Sequence, residues 1–113
     1  MDLSVERKFF TSPDLSWLGS RHGVANARPV TLKASAFADK DVKSGQPLAD
    51  SGDGFHVPFT GGDGEKFAGF CLDAVSVKNG DAAVALLDHG RVIVENLPVE
   101  FTAPANAGQF VFV

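Results

Sequence analysis

The chain has 113 residues, including ten Phe, one Trp and no Tyr, and carries a net charge of −4. That length suits one domain with a modest core, above the roughly 70–80 residues below which small folds usually need staples. The acidic balance argues against a nucleic-acid binder, which normally shows a basic patch, and no apolar run approaches the roughly 20 residues of a membrane span.

The opening MDLSVERKFF lacks the basic-then-apolar order of a signal peptide, so a cytoplasmic origin is expected. Twelve Gly and six Pro point to many turns and little helix. Cys71 is the single cysteine, which excludes an internal disulfide and any cysteine-based metal site. Flanked by Phe70 and Leu72, it reads as a small buried hydrophobe.

Residues 1–29 read as an extended N-terminal arm and residues 30–113 as a β-rich body. The arm region is near neutral, with Arg7, Lys8, Arg21 and Arg28 against Asp2, Glu6 and Asp14, whereas the body is acidic. Ser12 can cap a very short helix over residues 14–18, with Gly19 ending it. Phe9, Phe10 and Trp17 follow no sustained period. A segment this short cannot bury three aromatics by itself. They either fold back onto the body or anchor another chain, as segments that order on binding do.

In the body, Val30, Leu32 and Ala34 alternate with Thr31 and Lys33 and predict the first strand. Ser44-Gly45-Gln46-Pro47-Leu48 predicts a tight turn into a second. Phe55–Phe59 predicts a short strand that Pro58 assigns to a sheet edge. Residues 67–98 then read as a three-stranded meander. Its strands carry Val75 and Val77, Val84 and Leu86, and Val92 and Val94, and its turns fall at Asn79-Gly80 and His89-Gly90. Asn-Gly suits a type I′ hairpin, whose two central residues need positive φ. Residues 102–108 suggest one helical turn started by Pro104 and closed by Gly108. Residues 109–113 predict a final strand that must be paired or buried.

The chemistry-bearing residues form no recognisable constellation. His22, His56 and His89 lack ligands at zinc-pair spacing. Asp88 and His89 are adjacent, and neighbouring strand residues face opposite ways. The acidic loops at residues 50–54 and 61–65 lack the EF-hand spacing and read as turns. No cofactor, metal or catalytic residue is expected.

The order of motifs resembles the head decoration, or capsid-stabilising, proteins of tailed double-stranded DNA bacteriophages, the lambda-type decoration family. The residues that carry the likeness are Trp17-Leu18-Gly19-Ser20-Arg21-His22-Gly23 through Arg28-Pro29-Val30-Thr31-Leu32, then Ser44-Gly45-Gln46-Pro47-Leu48, then Ala68-Gly69-Phe70-Cys71-Leu72. Ala83-Val84-Ala85-Leu86-Leu87-Asp88-His89-Gly90-Arg91-Val92 and Leu97-Pro98 follow in the same order. The resemblance implies a mainly β, β-tulip or β-barrel-like domain with an extended arm and at most one or two short helical turns. It implies a non-catalytic homotrimer at three-fold positions of the expanded capsid, on the outer surface of the virion, made in the host cytoplasm. Its partner would be the major capsid protein, with no nucleic acid and no membrane involved. Phe9, Phe10, Leu15, Trp17, Leu18 and Arg21 would be the capsid-binding residues of the arm, by pairing with a strand of the capsid protein. The chain departs from the lambda type in cutting the C-terminal helical segment to one turn. An alternative is a non-enzymatic β-barrel binding module of a phage head fibre or tail, with the arm packed on its own body.

Overall fold

The computed structural model describes residues 14–20, 27–62, 64–104 and 108–113. The architecture is mainly β, with nine short strands and two isolated 3-10 turns among the described residues. Five strands close into a barrel: β1 (Arg28–Leu32), β3 (Pro47–Asp50), β4 (His56–Pro58), β5 (Lys66–Cys71) and β7 (Ala82–Leu87), in the order β1-β4-β3-β5-β7. Two small sheets flank it. One pairs β2 (Asp41–Val42) with β6 (Val75–Ser76), and the other pairs β8 (His89–Val92) with β9 (Gln109–Phe112). Closure leaves the barrel strands without free edges.

Two apolar clusters share the β5 and β7 walls. Val30, Leu32, Leu48, Cys71, Val84 and Leu86 fill the barrel, joined by Phe37, Val42 and Val77. On the other side of the same two strands, Phe70 and Leu87 join Trp17, Leu72 and Val92. Strand alternation makes this double use possible: Cys71 and Leu86 face inward while their neighbours Phe70 and Leu87 face outward. Half-buried Phe67, Phe101, Phe110 and Phe112 complete the second cluster. Phe70 sits at its centre, with ring centroids of Phe101 and Phe110 both at 5.2 Å in edge-to-face arrangements. Phe67, Phe70, Phe101, Phe110 and Phe112 thus form one aromatic layer at the β8–β9 sheet.

The predicted meander is not how these strands pair. β6 joins β2, while β7 is held antiparallel between β1 and β5. His89-Gly90 is no turn: it opens β8, which runs parallel to β9. Period-2 spacing tells which face a residue takes, not which strand lies beside it, and both edges of β7 are already occupied. A turn forms one residue earlier than Asn79-Gly80, with Lys78 and Asn79 central, closed by a Gly80 N–H bond to the Val77 carbonyl at 3.3 Å. Only Gly80 takes positive φ there, so the turn is not type I′.

Other expectations shift for local reasons. The first strand begins at Arg28 and stops before Ala34, where Asp81 accepts the Ala34 N–H at 2.8 Å and a 3-10 turn over Ala34–Ala36 swings Phe37 into the barrel. Val94 lies in a second such turn, Val94–Asn96, not in a strand. β4 lies between β3 and β1, but β1 meets it only at His56, so Pro58 pairs with Leu48 on one side and has no strand partner on the other. No helix forms over residues 14–18, which make a single turn with Leu18 N–H bonded to the Leu15 carbonyl at 2.9 Å. The turn expected at residues 102–108 includes residues 105–107, which lie outside the described residues.

Candidate functional site

The arm residues named by the sequence divide sharply. Phe9, Phe10 and Arg21 lie outside the described residues. Trp17 and Leu18, expected to face a partner, are instead packed on this chain's own body, and Leu15 is half-buried beside them. Trp17 is 1% exposed, with its ring 5.6 Å from that of Phe70. The physical reason is a polar partner as well as apolar cover. The indole N–H donates to the Ser44 hydroxyl at 3.1 Å, and that hydroxyl donates onward to the Leu72 carbonyl at 2.8 Å. A buried indole that meets its hydrogen-bond need is stable inside.

The backbone of this segment adds a third strand-like edge to the β8–β9 sheet. Leu18 bridges Val92 antiparallel, Gly19 N–H bonds to the Arg91 carbonyl at 2.8 Å, and Ile93 N–H bonds to the Trp17 carbonyl at 2.7 Å. The Asn96 side-chain amide donates to the Ser16 carbonyl at 2.9 Å. A Cβ at Gly19 would come within 2.6 Å of the Arg91 side chain, so any larger residue here makes that exposed side chain move. Asp14 accepts the Ser16 N–H at 3.0 Å, and that bond holds its carboxyl below the usual range. Residues 14–20, assigned by sequence to the arm, are thus packed and hydrogen-bonded as part of the body.

Beside this sheet lies a depression of about 510 Å³, lined by Gly19, Ser20, His89, Arg91, Gln109 and Val111. Val111 and Val113 are 52% and 57% exposed along the same strand end. At its rim, His89 Nδ1 lies 2.9 Å from Asp88 Oδ1, and Arg28 Nε lies 3.5 Å from Asp88 Oδ2. The expected opposition of Asp88 and His89 fails because Asp88 sits in the break between β7 and β8, where strand alternation does not apply.

The remaining chemistry-bearing groups serve the fold. Burial pushes the Cys71 thiol up to about 12, and its Sγ donates to the Asp73 carbonyl at 3.1 Å. The acidic loops bind themselves. Asp50 accepts the Gly52 N–H at 2.9 Å, and Asp53 accepts the Phe55 N–H at 3.2 Å and the Ser51 hydroxyl. One Glu65 oxygen accepts the N–H groups of Thr60, Gly61 and Gly62 at 2.8–3.2 Å, and the other takes the Thr60 hydroxyl at 2.8 Å. Among the described residues no three His, Cys, Asp or Glu side chains gather as a metal cluster would. His56 and the Ser44 relay were not legible in sequence, since both depend on partners distant in the chain.

A scan against models of known protein families finds no match to this chain, and a search of the curated proteins finds none.

Proposed function

We propose that this chain is a structural capsid decoration protein of a tailed phage, binding the expanded lattice of a major capsid protein at three-fold positions as a homotrimer. The observation that supports it most is the clamping of residues 14–20 onto the β8–β9 sheet. That clamp gives the first 13 residues, with Arg7, Lys8, Phe9 and Phe10, a rigid base on a compact barrel. An arm so based is suited to strand addition on a neighbouring protein. A protein that binds only the expanded shell stabilises it by mass action, and many copies at symmetric junctions act with avidity. On this reading Phe9, Phe10 and Arg21 remain the capsid-binding candidates, while Leu15, Trp17 and Leu18 hold the base. The role is non-enzymatic: Cys71 is buried and protonated, and Asp50, Asp53 and Glu65 are committed to their own loops.

The burial of Trp17 favours a second reading, a β-barrel binding module of a head fibre or tail whose N-terminal segment is part of its own fold. Co-sedimentation of full-length protein, and of protein lacking residues 1–13, with expanded shells of the major capsid protein separates the two. The decoration reading expects full-length protein to pellet with the shells and the shortened protein, still folded, to stay behind. Failure of full-length protein to bind would overturn it. Light scattering adds the oligomeric state, where a trimer is expected.

A further inference from the structure

We propose that His56 is a proton-operated latch on the seam that closes the barrel, so that protonation of its ring parts β1 from β4. This goes beyond the capsid reading and does not depend on it.

The seam is the thinnest joint of the barrel. β1 and β4 run parallel and share one register pair, Leu32 with His56, backed by a Lys33 N–H bond to the His56 carbonyl at 3.0 Å. The other joints carry between two and five register pairs each. His56 therefore supplies the backbone of the closure, and its side chain is buried at the same point.

Its side chain is an unusual choice for that place. His56 is 7% exposed, and neither Nδ1 nor Nε2 has a hydrogen-bond partner. A neutral imidazole carries one donor and one acceptor, and burying both unmet costs stability that Leu or Phe would not cost. Protonation turns both nitrogens into donors and adds a charge, which is far more expensive to bury.

The surrounding charges do not hold an imidazolium in place. Asp50, opposite His56 on β3, attracts it, but its Oδ1 already accepts the Gly52 N–H at 2.9 Å. Arg28 on β1 repels it and is paired to Asp88 at 3.5 Å. Lys33 at the end of β1 and Asp53 in the loop entering β4 pair with each other at 3.6 Å. The attraction of Asp50 exceeds the repulsion of Arg28, but burial outweighs both. Water is the remaining solvent for the charge, and it lies just outside, in a cleft of about 410 Å³ that His56 lines with Arg28, Thr31, Asp50 and Gly52. On this proposal, the ring's move from its buried place toward that cleft loosens the single Leu32–His56 joint.

Burial, the largest effect, lowers the proton affinity of His56 below its ordinary 6.5, with Asp50 opposing and Arg28 reinforcing. The closed seam thus prefers the neutral ring, and the open seam binds the proton near 6.5. Closure is fully favoured above 6.5 and weakens as pH falls from there toward the lowered closed-state value.

Amide hydrogen exchange of the full-length protein between about pH 7.5 and pH 5, corrected for intrinsic rates, tests the latch. Protection of the Lys33 amide is expected to fall by up to about tenfold per pH unit below 6.5, while the Cys71 amide, bonded to the Gln46 carbonyl across β3–β5, keeps its protection. His56→Phe should abolish the pH dependence at Lys33, and His89→Gln should leave it. NMR titration of the His56 ring in the unaltered protein gives an independent reading, with a midpoint below 6.5 expected. Lys33 protection independent of pH, a loss equal at Cys71, a loss that survives His56→Phe, or a midpoint at or above 6.5 would each overturn the proposal.

Discussion

Trp17 and Ser44 stand 27 residues apart in the chain and meet through a buried hydrogen bond of 3.1 Å. Ser44 is itself buried in the turn that leads into β3, and its hydroxyl relays the bond to Leu72. One pair of side chains thus joins the N-terminal segment, the barrel and the aromatic layer.

Ser44→Ala should leave the indole N–H and one carbonyl without that partner, at a cost of about 1–3 kcal/mol. Trp17→Ala removes the packing too and should cost about 3–5 kcal/mol. Urea unfolding followed by far-UV circular dichroism measures both. A Ser44→Ala protein as stable as the parent would show that the relay contributes little.

Truncation should divide the N-terminal region at residue 14. Removing residues 1–13 should leave the unfolding midpoint within a few degrees of the full chain. Removing residues 1–20 strips Trp17 and the Leu18 bridge from the second cluster and should lower it steeply or prevent folding. Thermal unfolding of the two proteins decides it, and equal midpoints would show that the clamp is dispensable.

Gly69 should tolerate no side chain. Its φ is +150°, and a Cβ would lie 2.1 Å from the Leu87 carbonyl oxygen on the adjoining strand. The ladder also shifts register here, placing Leu48 opposite Gly69 and Ala49 opposite Phe67. Gly69→Ala should cost about 3 kcal/mol or more, combining backbone strain with a clash against main chain. The contrast is Gly80→Ala, where a Cβ meets nothing within 4 Å and only the strain of a φ of +130° remains.

Cys71 should be silent toward thiol reagents in the folded protein. With its thiol pushed up to about 12 and no exposure, almost none is thiolate at neutral pH. Labelling with a disulfide reagent at about pH 8 should require unfolding, so the labelling rate reports global opening. Fast labelling under native conditions would contradict the buried position.

Glu65 should stabilise its loop in a pH-dependent way. Burial acts to raise its carboxyl, but the bonds from Thr60, Gly61 and Gly62 outweigh it and the net shift is downward from 4.5. A lowered folded value means the contribution is present above 4.5 and is lost as pH falls through the folded value. Glu65→Gln should therefore destabilise by less than about 1 kcal/mol at neutral pH, given solvent screening. The difference should shrink as pH falls below 4.5 and be lost in acid, once pH has passed the lowered folded value. Denaturant midpoints at neutral and acid pH check it.

Much of the fold was legible residue by residue. The tight turn at Ser44-Gly45, the burial of Cys71 and the apolar final strand follow from local chemistry. So does the self-binding of the acidic loops, because Asp and Ser beside Gly bond to nearby backbone N–H groups. The pairing of strands was less accessible. Val75 and Val84 looked like neighbours across Asn79-Gly80, yet they belong to different sheets, since a short turn fixes proximity but not hydrogen bonding. His89-Gly90 looked like a reversal, yet the chain passes straight from the barrel to the second sheet, because Leu87 and Val92 pack in the same cluster. The candidate site followed the same divide. Aromatic residues in the arm region were evident, but whether Trp17 faces outward or inward turned on Ser44 and Phe70.

By itself the sequence determined the class of this protein: a small β domain, Phe-rich, with alternating apolar faces and glycines where turns and close approaches need them. These are properties of single residues and their immediate neighbours. Only the tertiary structure decided that β5 and β7 serve two cores at once, that the barrel closes through one pair at His56, and that Trp17 belongs to the body. Those outcomes depend on which surfaces meet across long stretches of chain, and alternation within a strand carries no information about its partner.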